Sequence, residues 1–272
     1  MDLGVFQEGI DTLQTYLTDE QTLIRKDFPE AIDAGQVAGD DLENLVSQVI
    51  NNLDQGHWIH YYKLEGPIPD DSQIQTILQE KLMSSYYGAV ISSYQTWTYS
   101  IADKHWLLFD FSFHHSLADE KEIHDWAYRL AQQMTGWDDY QKALHIHDTI
   151  INMASYSLSP TDTVNGFSIH SPIAILQAGE GVCQAYAGLF QIASEYAGLK
   201  SRLRTGYAHA EGQISSADSH AWNEVLIEDT WLGVDTTWDD PVILDQPEEE
   251  VLLHDYFLTD LSSSHQANDA IH

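Results

Sequence analysis

One cysteine stands among 272 residues, and its setting singles it out for chemistry. Gly179-Glu180-Gly181-Val182 reads as a glycine-flanked turn. It leads into Cys183 and then Gln184-Ala185-Tyr186-Ala187-Gly188-Leu189-Phe190, apolar at helical spacing. Cys183 therefore falls at or near a helix N-terminus, where free N–H groups and the helix dipole favour a thiolate. The thiolate is the nucleophilic form, and the same N–H groups suit a developing oxyanion. The competing reading is a small buried hydrophobe, which is what a free Cys usually is. On position alone the two readings weigh about evenly.

Partners tilt the balance. Ser219-His220-Ala221-Trp222-Asn223-Glu224-Val225-Leu226-Ile227 and Trp231-Leu232-Gly233-Val234-Asp235 both have strand character, with Glu228-Asp229-Thr230 as the turn between them. A turn centred near residue 229 sets His220 opposite 237–238 and leaves Asp235 within reach of a diagonal side-chain pair. An imidazole and a carboxylate so placed can share the hydrogen bond that fixes the histidine tautomer. The expected constellation is Cys183 as nucleophile, His220 as base and Asp235 as its orienter.

Gly181-x-Cys183-x-x-Tyr186-Ala187, Ser219-His220-Ala221-Trp222-Asn223-Glu224-Val225 and Val234-Asp235-Thr236-Thr237-Trp238-Asp239 resemble, in order and spacing, the core of bacterial transglutaminase-like domains. Tyr140 to Ile151 is similar to the helix that precedes that core, and Asp255 to Asp260 with His265 resembles its closing segment. The resemblance covers about half the chain, from near 137 to the end. Thr236 departs from it, since Pro commonly stands near that position in the family. The resemblance implies a papain-like α+β core, with a Cys183-bearing helix packed on an antiparallel sheet that carries His220 and Asp235. It implies acyl transfer through a thioester, resolved by water or an amine, on a protein or peptide substrate, with no metal and no cofactor. The class held against this is a binding or scaffolding module on the same fold.

Four further residues are candidates for the substrate cleft or oxyanion hole. Gln177 lies six residues before Cys183, where papain-like enzymes put an oxyanion-hole Gln, although a surface helix Gln reads as well. Tyr186 sits one helical turn after Cys183, where it could border the site or sit in the core. Trp222 and Trp238 flank the two partner residues, and the reading against a cleft wall is ordinary aromatic packing. His114, His115, His145, His147 and His209 show no ligand pattern, and Asp239-Asp240 and Glu248-Glu249-Glu250, which could bind a cation, read rather as solvated acidic loops.

The elements that must position these groups are α+β throughout. Residues 1–54 carry broken helical periodicity, with Leu13, Leu17 and Leu23 and again Leu42, Leu45, Val46, Val49 and Ile50. Trp58–Leu64, Tyr94–Ile101 and Trp106–Phe113 read as strands, the last with Leu107, Phe109, Phe111 and Phe113 on one face. Ile74, Ile77, Leu78 and Leu82 mark a helix. Ser116–Thr135 and a stretch capped by Asp138 or Asp139 mark two more. A soft boundary near residue 136 separates an N-terminal α+β region, 1–135, from the core, 136–272.

Composition bounds the partners. The chain is 43% hydrophobic and carries 43 acidic against 11 basic side chains, a net charge of −32. A packed core is within reach, and nucleic acid is excluded as a partner, because phosphates need clustered Lys and Arg. The charge suits a basic substrate. No run is long enough for a membrane span, and Met1 to Leu13 lacks the pattern of a signal peptide. Extracellular or cell-surface work is the expectation, with the cytoplasm as the alternative; oligomeric state is not legible.

Overall fold

The structure is a computed structural model that describes residues 24, 26–209, 218–241 and 252–268. Leu13, Leu17, Leu23 and Glu248-Glu249-Glu250 lie outside the described residues. The chain is mixed α and β, as the sequence leads one to expect, and its described residues gather into two compact units. One takes residues up to Leu78 together with Ser92–Ser112, and the other takes Gln79–Ile91 and everything from Phe113 onward.

The first unit is built on a four-stranded sheet of order β1-β2-β4-β3, from β1 (Ile32–Ala38), β2 (Ile59–Glu65), β3 (Ile91–Ile101) and β4 (Lys104–Phe113). β1 runs parallel to β2, and β2 antiparallel to β4. Ala102, in a left-handed conformation, turns β3 into β4. Helix α1 (Leu42–Asp54) buries Leu45, Val46, Val49 and Leu53 along one stripe, and Asp41 caps it through the Asn44 N–H. Helix α2 (Asp71–Met83) follows β2. The alternation in β4 signals one apolar face, yet both faces are buried. Leu107, Phe109 and Phe111 line one, while Trp106 and Leu108 join Ile24, Ala31 and Tyr61 on the other. His60 is fully buried here, stacked 5.6 Å from Phe109, and burial carries its imidazole down to about 4.

The second unit holds α3 (Tyr87–Val90), α4 (Leu117–Gln133), α5 (Asp139–Ile151), α6 (Pro172–Ala178) and α7 (Cys183–Ala197). Its main sheet is antiparallel, of order β12-β11-β10-β9-β13. Those strands are β9 (Ser201–Ala208), β10 (Asp218–Ile227), β11 (Thr230–Val234), β12 (Phe257–Thr259) and β13 (His265–Ala267). The short strands β5 (Ser155–Tyr156) and β8 (Glu180–Gly181) pair in parallel, and β6 (Thr163–Val164) and β7 (Phe167–Ser168) form a small hairpin. Complete capping boxes open α4 (Ser116 with Asp119) and α5 (Asp138 with Gln141). Helix α7 is the hub. Every residue from Ala185 to Ser194 is buried, and its side chains join those of α4, α5, β10 and β11 in one core.

The compact units part elsewhere than at the boundary expected near 136. Helix α4 belongs with the C-terminal unit, because Leu130 and Met134 sit in the same core as Ala185, Tyr186 and Leu189. Among the described residues no helix is long and apolar enough to cross a membrane.

Candidate active site

Cys183 is the first residue of α7 and is half-buried. The preceding turn is tight. A Cβ on Gly181 would lie 2.8 Å from Ile175 Cγ1 and 2.9 Å from Ala185 Cβ, so only glycine lets β8 run this close to the helix it feeds. Val182 takes the N-cap position in extended conformation, and no side chain caps the helix there. α4, α5 and α6 are all capped by side chains. The start of α7 therefore keeps its first N–H groups, on Cys183 and Gln184, for something other than a cap. The side chain of Gln184 turns away, donating from Nε2 to the Ala89 carbonyl at 2.6 Å.

His220 comes from β10 and Asp235 from the residue just past β11. The hairpin that joins the strands has a two-residue turn, Glu228-Asp229, with both residues at positive φ, and Ile227 pairs with Thr230. That register sets Asn223 opposite Val234, so the strand ends carry His220 and Asp235 to one place. His220 Nε2 and Asp235 Oδ2 are 2.6 Å apart. Cys183 lies close enough to the same imidazole to help raise its pKa. With Nε2 on the carboxylate, Nδ1 is the nitrogen that remains to face the thiol. Burial alone would lower the His220 pKa, but the Asp235 charge and hydrogen bond, with a contribution from Cys183, push it up to about 10. The same pairing, aided by His265, holds the Asp235 carboxyl below its ordinary range although burial opposes it. Asn223 donates from Nδ2 to the Ala187 carbonyl and to Gln191 Oε1, pinning β10 to α7 and so His220 to Cys183.

Asp235 accepts more than one imidazole. His265 Nε2 lies 2.9 Å from the same Oδ2, with its Nδ1 on Ser264 Oγ. Oδ1 accepts the backbone N–H groups of Thr237 and Trp238. β13 reaches this position because it pairs with β9, where Gly206 leaves room: a Cβ there would lie 2.1 Å from the Gln266 carbonyl. The sequence placed His265 only in a closing segment; its distance along the chain from Asp235 hid the contact.

The remaining candidates divide. Trp222 and Trp238 surround the imidazoles. Trp222 is buried, lies nearly parallel to His220 at 6.2 Å and meets His265 edge-on at 4.9 Å. Trp238 is half-buried, 5.6 Å from His220 and 4.7 Å from His265. Tyr186 is fully buried, and its hydroxyl donates to Asp240 Oδ2 at 2.5 Å, which makes it a tether between α7 and the loop after Asp235 rather than a cleft residue. Gln177 is corrected as well. It is exposed on α6 and its amide donates to Glu122, so it is not held toward Cys183 as an oxyanion donor. Asp239 is no solvated loop residue: it is fully buried and paired with His147 at 3.0 Å. His115 is satisfied too, by Glu120 and Ser171.

Residues 128–236 match the family model of the transglutaminase-like superfamily. Among curated proteins, the kyphoscoliosis peptidases of Mus musculus and Homo sapiens are each 34% identical over 95 residues, 32% of this chain. The matched stretch is 14% of each of those relatives, so the chain spans a small part of their length. Among solved structures, the periplasmic domain of TgpA from Pseudomonas aeruginosa aligns with a TM-score of 0.32 at 17% identity, over 54% of this chain and 66% of that one.

Proposed function

We propose that this chain, whose residues 128–236 are transglutaminase-like, performs cysteine-dependent acyl transfer on a carboxamide or peptide carbonyl. The observation that carries the reading is one imidazole set beside a helix-start thiol and against a buried carboxylate: His220 lies 2.6 Å from Asp235 and close enough to Cys183 for that residue to help raise its pKa. A site that retains nucleophile, base and orienter in mutual reach has the parts of a thiol acyl transferase.

The chemistry follows from the geometry. His220, kept protonated by Asp235, faces Cys183 as an imidazolium, and the open first turn of α7 faces it with unpaired N–H groups. The sulfur anion adds to the carbonyl carbon, and the Cys183 and Gln184 N–H groups receive the negative oxygen. The C–N bond then breaks and His220 gives its proton to the departing amine, leaving a thioester and a neutral imidazole. Water or a second amine attacks the thioester and yields a proton to His220. The C–S bond breaks and the thiolate–imidazolium pair is restored. Trp222 and Trp238 wall the imidazoles from water, which strengthens each charge interaction between them. The net charge of −32 favours basic peptide substrates by long-range attraction.

Alkylation kinetics with iodoacetamide test the reading. Cys183 should be alkylated faster in wild type than in His220→Ala, which lacks the imidazolium beside the sulfur. Equal rates in the two proteins at pH 6 would overturn it.

A further inference from the structure

A second cluster lies away from the thiol, on α5 and the segment that leads into β12. His147 is fully buried, and Asp148 follows it on the helix. His147 Nδ1 is 2.9 Å from Asp148 Oδ1, and His254 Nε2 is 2.8 Å from the same oxygen. The three donor atoms all lie within 4.8 Å of one another, and the two imidazoles stack with centroids 5.1 Å apart. We propose that His147, Asp148 and His254 bind a first-row divalent cation of the Zn2+ type.

Three features carry this. The first is spacing. Donors held about 2.1 Å from one ion at tetrahedral or octahedral angles stand roughly 3.0–3.4 Å apart; the two imidazole–carboxylate separations, 2.9 and 2.8 Å, lie just short of that range, and the third pair is within 4.8 Å. The second is the donor set. Two imidazoles and one carboxylate suit zinc and its neighbours, whereas calcium and magnesium call for oxygen.

The third is the group behind the ligands. Asp239, itself fully buried, lies 3.0 Å from His147 Nε2. A carboxylate there accepts the Nε2–H and turns the Nδ1 lone pair toward the cluster, as metal-bound histidines are held elsewhere. In that tautomer Nδ1 and the Asp148 oxygen confront each other as two acceptors, and a cation between them removes the conflict. Asp148 and His254 keep 33% and 44% of their side-chain surface exposed, so an ion can enter and retain water.

The position gives such an ion a consequence. Asp239 also accepts the Tyr256 N–H, and the Tyr256 carbonyl accepts the Asp235 N–H. A cation joining α5 to the 252–256 segment would brace the loop that holds Asp235.

Chelator-treated full-length chain should be titrated with Zn2+ by calorimetry and with Co2+ by visible absorption, alongside Cys183→Ala, Asp148→Asn and His254→Ala. One ion per chain is expected, with a rise in thermal midpoint and a Co2+ spectrum free of thiolate charge transfer. Cys183→Ala should bind as wild type does, and the other two variants should lose affinity by about a hundredfold. Zn2+ binding no stronger to wild type than to His254→Ala would overturn the proposal. So would binding that survives both Asp148→Asn and His254→Ala, or that disappears with Cys183→Ala.

Discussion

Asp235→Asn is the most informative single change, because it is isosteric and reverses one polarity. Oδ1 would still accept the Thr237 and Trp238 N–H groups, so the loop should keep its shape. The other position would become an NH2 facing His220 Nε2 and His265 Nε2, both of which now point hydrogens at an acceptor. His220 would have to present a lone pair there and carry its hydrogen on Nδ1, the nitrogen that faces Cys183. Against its burial, the Asp235 charge and hydrogen bond, with Cys183 adding to them, raise the imidazole from its ordinary 6.5 up to about 10, a net preference for the charged form on the order of 5 kcal/mol. Without it, burial lowers the pKa with only the smaller contribution of Cys183 against it, so the imidazole gives up its proton at a lower pH. Activity on an amide substrate should fall by about a thousandfold or more, less than in Cys183→Ala, since tautomer and charge are lost but nucleophile and base remain. Initial rates and the pH profile of alkylation measure both effects on one sample. A variant within a fewfold of wild type, with an unshifted profile, would refute the argument and move the orienting role away from Asp235.

Four further outcomes are expected. Cys183→Ala should abolish acyl transfer while shifting stability by less than about 1 kcal/mol, because the residue is only half-buried; a calorimetric scan and an activity assay decide it. His265→Phe keeps the aromatic packing but removes one donor to Asp235, a charged-group hydrogen bond worth about 1.5–3 kcal/mol. It should lower kcat ten- to hundredfold with KM little changed, and His265→Gln should recover part of the loss. In the pH dependence of stability, His220 binds its proton more tightly folded than unfolded, so its contribution is complete below 6.5 and is lost as pH rises toward about 10. Denaturant midpoints across that range should fall in wild type and stay flatter in Asp235→Asn. His60 has the opposite sign: buried neutral, it should destabilise the first unit as pH drops from 6.5 toward 4, an effect His60→Phe should diminish.

What the sequence made legible was local. The glycine turn, the apolar helix after Cys183 and a hairpin turning near residue 229 are each written in a dozen residues or fewer, although Thr230, read as part of the turn, is the first residue of β11 and pairs with Ile227. What it hid was tertiary. β1 has a glycine and no apolar alternation, since most of its side chains face solvent, and α6 is a seven-residue helix announced only by Ser171-Pro172. His147 meets Asp239 across 92 positions and His265 meets Asp235 across 30. No spacing rule connects such pairs, and a buried histidine looks like any other until its carboxylate is found. Gln177 misled for a related reason: its distance from Cys183 along the chain is short, but the turn at Gly179 changes the direction of the backbone between them.

The depth at which α7 lies has its own consequence for how this molecule fails. Ten consecutive residues of that helix, Ala185 to Ser194, are buried, so their amide hydrogens should exchange only when the whole second unit opens. The half-buried first two residues, Cys183 and Gln184, whose N–H groups have no helical acceptor, should exchange far sooner. The nucleophile is thus mounted on the end of the last element to melt. It has no intermediate, loosened form in which the helix wanders while the rest of the unit stands, and heat inactivation and global unfolding of that unit become a single event.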